Sequence, residues 1–311
     1  MEISDYDKFK YDYSKYWKNR EYENEAEHML LEKIFSEIPS GNWFLDIGGS
    51  YGRLTDTYYK KFKHPIIVDY SHETLIKNKE KIKEQYPNTT LISANAYYLP
   101  FADSSLDGAL MVRVLHHLNQ PETYFKELNR ITKSGGSYIQ EFANKVHIKA
   151  KLRAILKGNF KFFNKTPYQQ PNMGNFEGTK EQSSIFLNYH PKFVRELLKK
   201  NDFKVLKKYG CSYLRIPYLK NKLGTDKLIK IESLLQNILS WSNIPPSVFF
   251  VTKSTKSFES EKRFRTLEQI LVCPKCKTSL LFSEKRDKCK CPECGEIFSK
   301  KDDIWDFRIT E

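Results

Sequence analysis

The sequence feature that most constrains the fold is a short apolar run that ends in a glycine-rich turn. Residues 43–47 (WFLDI) are followed by Gly48-Gly49-Ser50-Tyr51-Gly52 and then by residues compatible with a helix. Strand, glycine turn and helix in this order let backbone N–H groups at a helix N-terminus approach a ligand. Glycine suits such a turn because a side chain would block close approach or forbid a positive φ. Alone, the turn does not distinguish between the α/β folds that use it.

The pattern after the turn alternates between strands and helices. Further strands are predicted at 65–68, 90–94, 106–112, 136–141, 203–209 and 247–252, with helices at 71–86, 121–131, 190–202 and 226–241. This alternation predicts a parallel, doubly wound sheet that binds its ligand at the carboxyl ends of the strands. Asp46, Asp69 and Asn95 lie at or near such ends, and an acid in the place of Asp69 can accept hydrogen bonds from both ribose hydroxyls of an adenosine.

Six segments in this order resemble the class I S-adenosylmethionine-dependent methyltransferases, close to the ubiquinone/menaquinone-biosynthesis subgroup. They are Leu45–Arg53, Val68-Asp69, Asn95-Ala96 with Leu99-Pro100-Phe101, Val114–Leu118 and Arg130–Gly136. The resemblance implies a Rossmann-like, seven-stranded α/β sheet with an antiparallel closing pair. It also implies S-adenosyl-L-methionine as the cofactor. A dinucleotide-binding domain would show Gly-x-Gly-x-x-Gly, which this turn lacks.

The resemblance also suggests which residues hold the cofactor. We predict contacts from Asp46, Gly48, Gly49, Ser50, Gly52, Asp69, Tyr70, Asn95, Ala96 and Arg113. In such proteins the first loop cradles the methionine part and the acid at Asp69 holds the ribose. Asn95 stands where the family usually has Asp, and Gly49 where it often has Cys. Asn95 can still accept a hydrogen bond from the adenine amine.

Three polar residues after the fourth and fifth strands are the catalytic candidates: His116, His117 and Glu141. Methyl transfer is an in-line displacement that depends largely on positioning, and it needs a base only if the nucleophile must lose a proton. The His-His pair also has a purely structural interpretation as a helix entry, and Glu141 could instead bind substrate. At the N-terminus, Tyr16 or Trp17 could cover the cofactor or simply pack.

Five of the six cysteines lie between residues 273 and 294. Cys273-Pro-Lys-Cys276 and Cys291-Pro-Glu-Cys294 form two Cys-x-x-Cys pairs fourteen residues apart, a spacing that suits tetrahedral zinc. The surrounding segment 265–309 resembles the small zinc-binding activator subunits of tRNA, rRNA and release-factor methyltransferases. Those subunits add a strand to a methyltransferase partner. The family's usual Asp-Gly-Ile-Pro ending is Asp303-Ile-Trp-Asp306 in this chain.

The predicted organisation has two parts. We expect a methyltransferase domain over 1–255, with a helical cap at 1–36 and a substrate-side insertion at 145–189. A polar linker at 256–264 leads to a zinc-ribbon-like module at 265–311. We see no apolar run near ~20 residues and no secretory signal, so we expect a soluble, cytoplasmic protein without a membrane span.

Charge separates one segment from the rest of the chain. The formal net charge is +14, and residues 145–222 alone carry eighteen Lys and Arg against four Asp and Glu. This segment could contact RNA or an acidic substrate, or it could be a solvated lysine-rich face. We expect a small-molecule or lipid-like acceptor. The alternatives are an RNA or protein acceptor, with the zinc module as a built-in activator or as the contact for a protein partner, and a non-catalytic cofactor-binding protein.

Overall fold

The computed structural model describes residues 16–170, 185–257 and 264–309 of the chain. The helices are α1 Glu21–Glu37, α2 Thr55–Tyr59, α3 His72–Gln85, α4 Pro121–Ile131, α5 Ile148–Leu156, α6 Pro191–Lys200, α7 Pro217–Leu223, α8 Thr225–Ile238 and α9 Leu267–Ile270. The core strands are β1 Gly41–Ile47, β2 Phe62–Asp69, β3 Thr90–Ser93, β4 Leu106–Met111, β5 Thr132–Ala143, β8 Phe203–Cys211 and β9 Ser247–Ser254. A separate hairpin pairs β6 Tyr168–Gln169 with β7 Leu187–Asn188. The rest of the predicted cap, insertion and linker lies outside the described residues.

The central sheet is parallel and doubly wound, with an antiparallel closing pair, as predicted. Its strands run β3-β2-β1-β4-β5-β9-β8, where β1 to β5 are parallel and β9 is antiparallel to both β5 and β8. The strands that pass through the middle of this sheet are buried on both faces, which explains their continuous apolar runs. The expected α/β class and the antiparallel closing pair are confirmed.

The sheet does not end at β3. Four C-terminal strands, β10 Leu281–Phe282, β11 Lys288–Lys290, β12 Ile297–Lys301 and β13 Ile304–Asp306, extend it to eleven strands. Strand β13 is parallel to β3, with Trp305 opposite Ile92 and Asp306 opposite Ser93. The expectation of seven strands is therefore wrong for the whole sheet. The physical reason is that the edge of β3 carries backbone donors and acceptors, which β13 pairs.

Residues around the C-terminal strands also join the core. The Ala102 amide donates to the Ile270 carbonyl at 2.7 Å, and the Val272 amide donates to the Pro100 carbonyl at 3.0 Å. Trp305 and Phe307 are buried in the same apolar cluster as Ile92. The cysteine-bearing segment is thus continuous with the central sheet through both hydrogen bonds and apolar packing.

Candidate functional site

The glycine turn follows β1 at the carboxyl edge of the sheet, as predicted. Gly48 has φ +74° and Gly52 has φ +75°, a left-handed conformation that L side chains rarely adopt. A Cβ on Gly48 would also lie 2.2 Å from a methyl carbon of Val114. The amides of Gly48 and Gly49 both donate to the Val68 carbonyl, at 2.7 and 3.2 Å. Glycine at position 48 is therefore a requirement of the backbone and of the close approach of the loop after β4.

Asp69 ties the turn to the end of β2. Its carboxylate accepts a hydrogen bond from the Ser50 amide at 2.9 Å and another from the Ser71 amide at 2.9 Å. Because each carboxylate oxygen has more than one acceptor position, Asp69 retains capacity to accept from a ligand. The acid predicted at this strand end thus already organises the loop beside it.

Two further polar groups lie behind the turn. Asp46 is 2% exposed and accepts a hydrogen bond from the Tyr58 hydroxyl at 2.9 Å. Burial raises the pKa of Asp46 to about 7, although the hydrogen bond from Tyr58 acts in the opposite direction. Asn95, at the end of β3, accepts from the Tyr97 amide at 2.9 Å. Tyr58 was not predicted from the sequence.

These residues line one cavity. Nine of the ten predicted cofactor residues border it: Asp46, Gly48, Gly49, Ser50, Asp69, Tyr70, Asn95, Ala96 and Arg113. Gly52 does not; it borders a neighbouring cavity, with Trp17 and His28. The carboxyl ends of β1, β2, β3 and β4 meet at this cavity, as the topology of a parallel sheet requires.

A buried ion-pair network closes the cavity from the side of α1. Glu27 is fully buried and receives hydrogen bonds from Arg113 and, at 2.7 Å, from Arg53. Burial raises the pKa of Glu27, but the charges of Arg113 and Arg53 outweigh burial and lower the pKa below its usual value. Both arginines line the cavity. This carboxylate therefore fixes two cationic side chains at the candidate cofactor site.

The aromatic residues before α1 lie on the same network. The Arg53 guanidinium lies 3.9 Å from the centroid of the Trp17 ring, and the Arg113 guanidinium lies 4.8 Å from the same centroid. The hydroxyl of Tyr16 accepts from Arg113 at 3.2 Å. These contacts are consistent with the predicted role of Tyr16 and Trp17 as a cover for the site, and that role stays a prediction.

A second cavity adjoins the first and contains the catalytic candidates. His116, His117 and Glu141 all line it, and it shares Arg113 and His117 with the first cavity. Glu141 accepts hydrogen bonds from the Arg113 amide at 2.8 Å and from the Ser247 hydroxyl at 2.7 Å. The structure thus brings all three predicted catalytic residues to the second cavity, and of the three His117 also lines the first.

Burial separates the acid–base properties of these three side chains. It lowers the pKa of His117 to about 4. The pKa of His116 is also well below its usual value, through burial and then the neighbouring His117 and Arg113. Burial raises the pKa of Glu141, and the charge of Arg113 offsets only part of this rise. Near neutral pH both imidazoles are neutral, and Glu141 is the group better matched to accepting a proton.

The four predicted metal ligands form a cluster. The sulfur atoms of Cys273, Cys276, Cys291 and Cys294 lie within 4.8 Å of one another. The Cys273 and Cys294 sulfurs are 3.8 Å apart, which is about the S···S separation in a tetrahedron with Zn–S bonds of ~2.3 Å. In each pair the amide of the second cysteine donates to the sulfur of the first at 3.5 Å. Cys289 is buried outside this cluster, and the arrangement fits one tetrahedral ion.

The candidate site matches a known family. Residues 45–140 match the family model described as a methyltransferase domain. The chain is also 30% identical over 256 residues to the uncharacterized protein MJ1252 of Methanocaldococcus jannaschii, a match that covers 81% of this chain and 90% of that protein. The chain belongs to the S-adenosylmethionine-dependent methyltransferases. It is therefore an enzyme.

The resemblance to quinone-biosynthesis enzymes covers about a third of this methyltransferase. The ubiquinone/menaquinone biosynthesis C-methyltransferase UbiE of Bartonella quintana is 32% identical over 114 residues. That match covers 33% of this chain and 42% of that protein. It therefore supports the methyltransferase assignment. The acceptor of UbiE is not assigned to this chain on the basis of this match.

Solved structures support the fold. A chain in the complex between the Haloferax volcanii Trm112 methyltransferase activator and a methyltransferase superposes with a TM-score of 0.53 at 13% identity. This alignment covers 78% of the methyltransferase described here and 96% of that chain. Among the described helices of this methyltransferase, none has the length and apolarity needed to cross a bilayer.

Proposed function

We propose that this enzyme transfers the methyl group of S-adenosylmethionine to a small or lipid-like acceptor bound in the second cavity. The observation that carries the proposal is the pair of adjoining cavities, which share Arg113 and His117. An in-line displacement needs donor and acceptor pockets that meet at the reacting atoms, and this wall is where they would meet.

The residues around the first cavity fit the cofactor. Asp69 would accept from the ribose hydroxyls, Asn95 would hold the adenine, and the turn at Gly48 and Gly49 would cradle the methionine part. When bound, the cofactor supplies an electrophilic methyl group. Glycine at these two positions lets the turn pack closely, since a Cβ on Gly48 would meet Val114 and a Cβ on Gly49 would meet Asp46 and Ile67.

We propose that Glu141 is the base that acts on the acceptor. Its carboxylate is oriented by the Arg113 amide and by the Ser247 hydroxyl, and its raised pKa suits it to take a proton from an acceptor hydroxyl, amine or acidic carbon. The neutral rings of His116 and His117 would shape the cavity, since they pack on each other with centroids 4.1 Å apart and His116 packs on Phe186 at 4.2 Å.

Charge in the second cavity favours an acceptor with an anionic group. The described residues that line it include four cationic side chains, Arg20, Arg113, Lys149 and Arg215, and one carboxylate, Glu141. A carboxylate or phosphate on the acceptor would be attracted to this cavity. This also gives part of the basic segment 145–222 a role in selecting the substrate.

We further propose that the cysteine cluster binds zinc and that the C-terminal strands act as a built-in activator. Four converging thiols with the S···S separation of a tetrahedral site support the metal. The pairing of β13 with β3 supports the activator, as does the contact of Arg308 with the Tyr70 carbonyl at 3.4 Å. Tyr70 lies beside Asp69 at the candidate cofactor site, so this segment would steady that wall.

The test is methyl-label transfer by the full chain from S-adenosylmethionine into separate pools of small molecules, lipids, RNA and protein. We expect label in the small-molecule or lipid pool, and a loss of at least ~100-fold in Glu141→Gln if this carboxylate is the base. Glu37→Gln is a matched control at the end of α1, away from both cavities. Label in RNA or protein alone would contradict the proposed acceptor class.

A further inference from the structure

Two helices of this enzyme turn their apolar side chains outward. In α5, the residues Ile148, Leu152, Ile155 and Leu156 follow an i, i+4, i+7, i+8 spacing and are 43–86% exposed. A helix of a globular protein usually buries such a stripe. Helix α5 instead has Ala154 as its one buried residue. Its orientation is thus the reverse of the usual one.

Helix α8 shows the same reversal. Ile231, Leu234 and Ile238, with Trp241 just after the helix, lie on one face and are 40–77% exposed. The buried face carries Leu228 together with the polar side chains Glu232 and Gln236. Glu232 is held there by the hydroxyl of Tyr22 and by the amides of Ser212 and Tyr213. The apolar stripe is therefore left to the surface.

The two stripes belong to neighbouring parts of the molecule. The amide at the start of α5, that of Ile148, donates to the Ile244 carbonyl at 3.0 Å, in the segment that follows α8. The same start of α5 lines the second cavity through Ile148 and Lys149. Of the fourteen large apolar side chains exposed among the described residues, twelve lie from residue 148 to residue 241. This apolar surface therefore begins at the mouth of the acceptor cavity.

Charge identifies the occupant of this surface. Residues 145–165 carry seven Lys and Arg and no Asp or Glu. In α5 the basic residues flank the apolar stripe on both sides, with Lys149 and Arg153 on one side and Lys151 on the other. Exposed aliphatic side chains rimmed by lysine and arginine are typical of a helix that lies in the interface of an anionic membrane. The exposed stripe of α5 is aliphatic, whereas the binding of single-stranded RNA relies on aromatic stacking and phosphate contacts.

We propose that α5, the residues up to Phe163 and the exposed stripe of α8 form a docking surface for an anionic lipid bilayer. The aliphatic side chains would insert among the acyl chains, and the lysines would contact lipid phosphates. Docking in this manner would bring the acceptor cavity to the bilayer surface. The inference goes beyond the proposed function, because binding to a membrane can be measured with no acceptor and no S-adenosylmethionine present.

The experiment is sedimentation of the full chain with vesicles of phosphatidylcholine alone or with 30 mol% phosphatidylglycerol (about the anionic content that such assays need). We expect binding to the anionic vesicles and little to the neutral ones.

The double variant Lys151→Glu/Lys161→Glu should weaken binding by about fivefold or more per lysine. Leu152→Ser/Leu156→Ser should weaken it by about tenfold or more per side chain. The matched control is Leu281→Ser/Ile297→Ser, two side chains that are 63% and 61% exposed on the C-terminal strands.

Four outcomes would overturn the proposal. The first is no sedimentation with anionic vesicles. The second is equal loss in the control variant. A third is binding lost on charge reversal but unchanged by Leu152→Ser/Leu156→Ser, together with full competition by RNA, which would make this a polyanion surface. A fourth is self-association of the free protein that the serine variant abolishes, which would make it an interface with a second copy. Circular dichroism of each variant separates loss of binding from loss of folding, and because all six altered side chains lie outside the core, we expect native spectra.

Discussion

At the scale of single residues, the candidate site depends on carboxylates in different environments. Asp69 is organised by two backbone amides, Glu27 is neutralised by two arginines, and Asp46 and Glu141 are buried beside hydroxyl donors. The pKa of Glu27 is lowered, whereas the pKa values of Asp46 and Glu141 are raised. The carboxylate of Glu27 is thus a fixed anion, whereas that of Glu141 has the raised pKa that suits its proposed role as proton acceptor.

Asp69→Ala should remove most of the affinity for S-adenosylmethionine. The substitution deletes the acceptor for the ribose and also releases the amides of Ser50 and Ser71. We expect a rise in Kd of at least ~30-fold, the effect of losing charged hydrogen bonds worth about 2 kcal/mol. Isothermal titration calorimetry measures it, with Asp56→Ala on α2 as the control. Unchanged affinity in Asp69→Ala would remove this residue from the cofactor site.

Glu141 should produce the acidic limb of the pH–rate profile. Because its pKa is raised, the carboxylate gains a proton at a higher pH than an ordinary glutamate does, and the basic form is lost as pH falls through that raised value. We expect kcat/KM to fall on the acidic side with an apparent pKa above 4.5. Glu141→Gln should flatten this limb as well as lower the rate. If the acidic limb persists in Glu141→Gln, a group other than Glu141 produces it.

Asp46 should make folding stability depend on pH. Its pKa is about 7 in the folded chain, against ~3.9 for an unperturbed Asp. Between these values the folded state holds a proton that the unfolded state has released, so the free energy of unfolding falls as pH rises from ~4 to 7. Asp46→Asn should lack this dependence and gain about 4 kcal/mol relative to wild type between pH 4 and 8. Urea unfolding at several pH values tests it, with the exposed Asp226→Asn as control; parallel curves for Asp46→Asn and wild type would refute it.

At the scale of elements, the strand-turn-helix pattern identifies most of the core but not the contacts that complete it. The apolar runs, the glycine turn and the acid after β2 are local signals, and they placed nine cofactor candidates around one cavity. Glu27 is different. It occurs in a helix rich in charged residues, and its partners Arg53 and Arg113 are 26 and 86 residues away in sequence. Its burial is decided by tertiary packing, so no local pattern indicates it.

The pairing of β13 with β3 was also beyond the local sequence signal. Ile304 and Trp305 are consistent with the core of a free-standing module, yet Ile304 packs with Ile67, Leu75 and Leu91. Which edge such a strand joins depends on the unpaired backbone of its neighbour, and a sequence pattern does not report that. The resemblance to activator subunits gave the idea of strand addition, and the structure gives the register.

The cysteine cluster should stabilise the elements around it. Cys273→Ser removes one of four converging thiols, so we expect less than a tenth of the wild-type zinc content and a Tm lowered by several degrees. Cys289→Ser is the matched control, since Cys289 is buried on β11 but lies outside the cluster. Metal analysis and differential scanning fluorimetry read out the two effects. Equal zinc in Cys273→Ser and wild type would refute the site.

At the scale of the whole molecule, the shared sheet predicts a single unfolding transition. Trp305, Phe307 and Cys273 lie in the same apolar cluster as Leu45 and Phe101 of the methyltransferase core. The ion pair of Glu127 with Lys277 at 2.6 Å crosses the same boundary. Chelation of the metal should therefore lower one common Tm in calorimetry. Two separate transitions, of which only the smaller responds to chelator, would contradict this coupling.

The covered edge of β3 also has a consequence for how the activity can be regulated. A strand supplied by the same chain is present at an effective concentration of about millimolar, whatever the amount of protein. Dilution cannot separate it, and its stoichiometry with the catalytic core is always one to one. Where an activator is a separate chain, a cell can set activity by the ratio of the two gene products. Under the proposed activator role of the C-terminal strands, that control would be absent in this enzyme, and supply of the proposed zinc would be the variable that acts at the same edge.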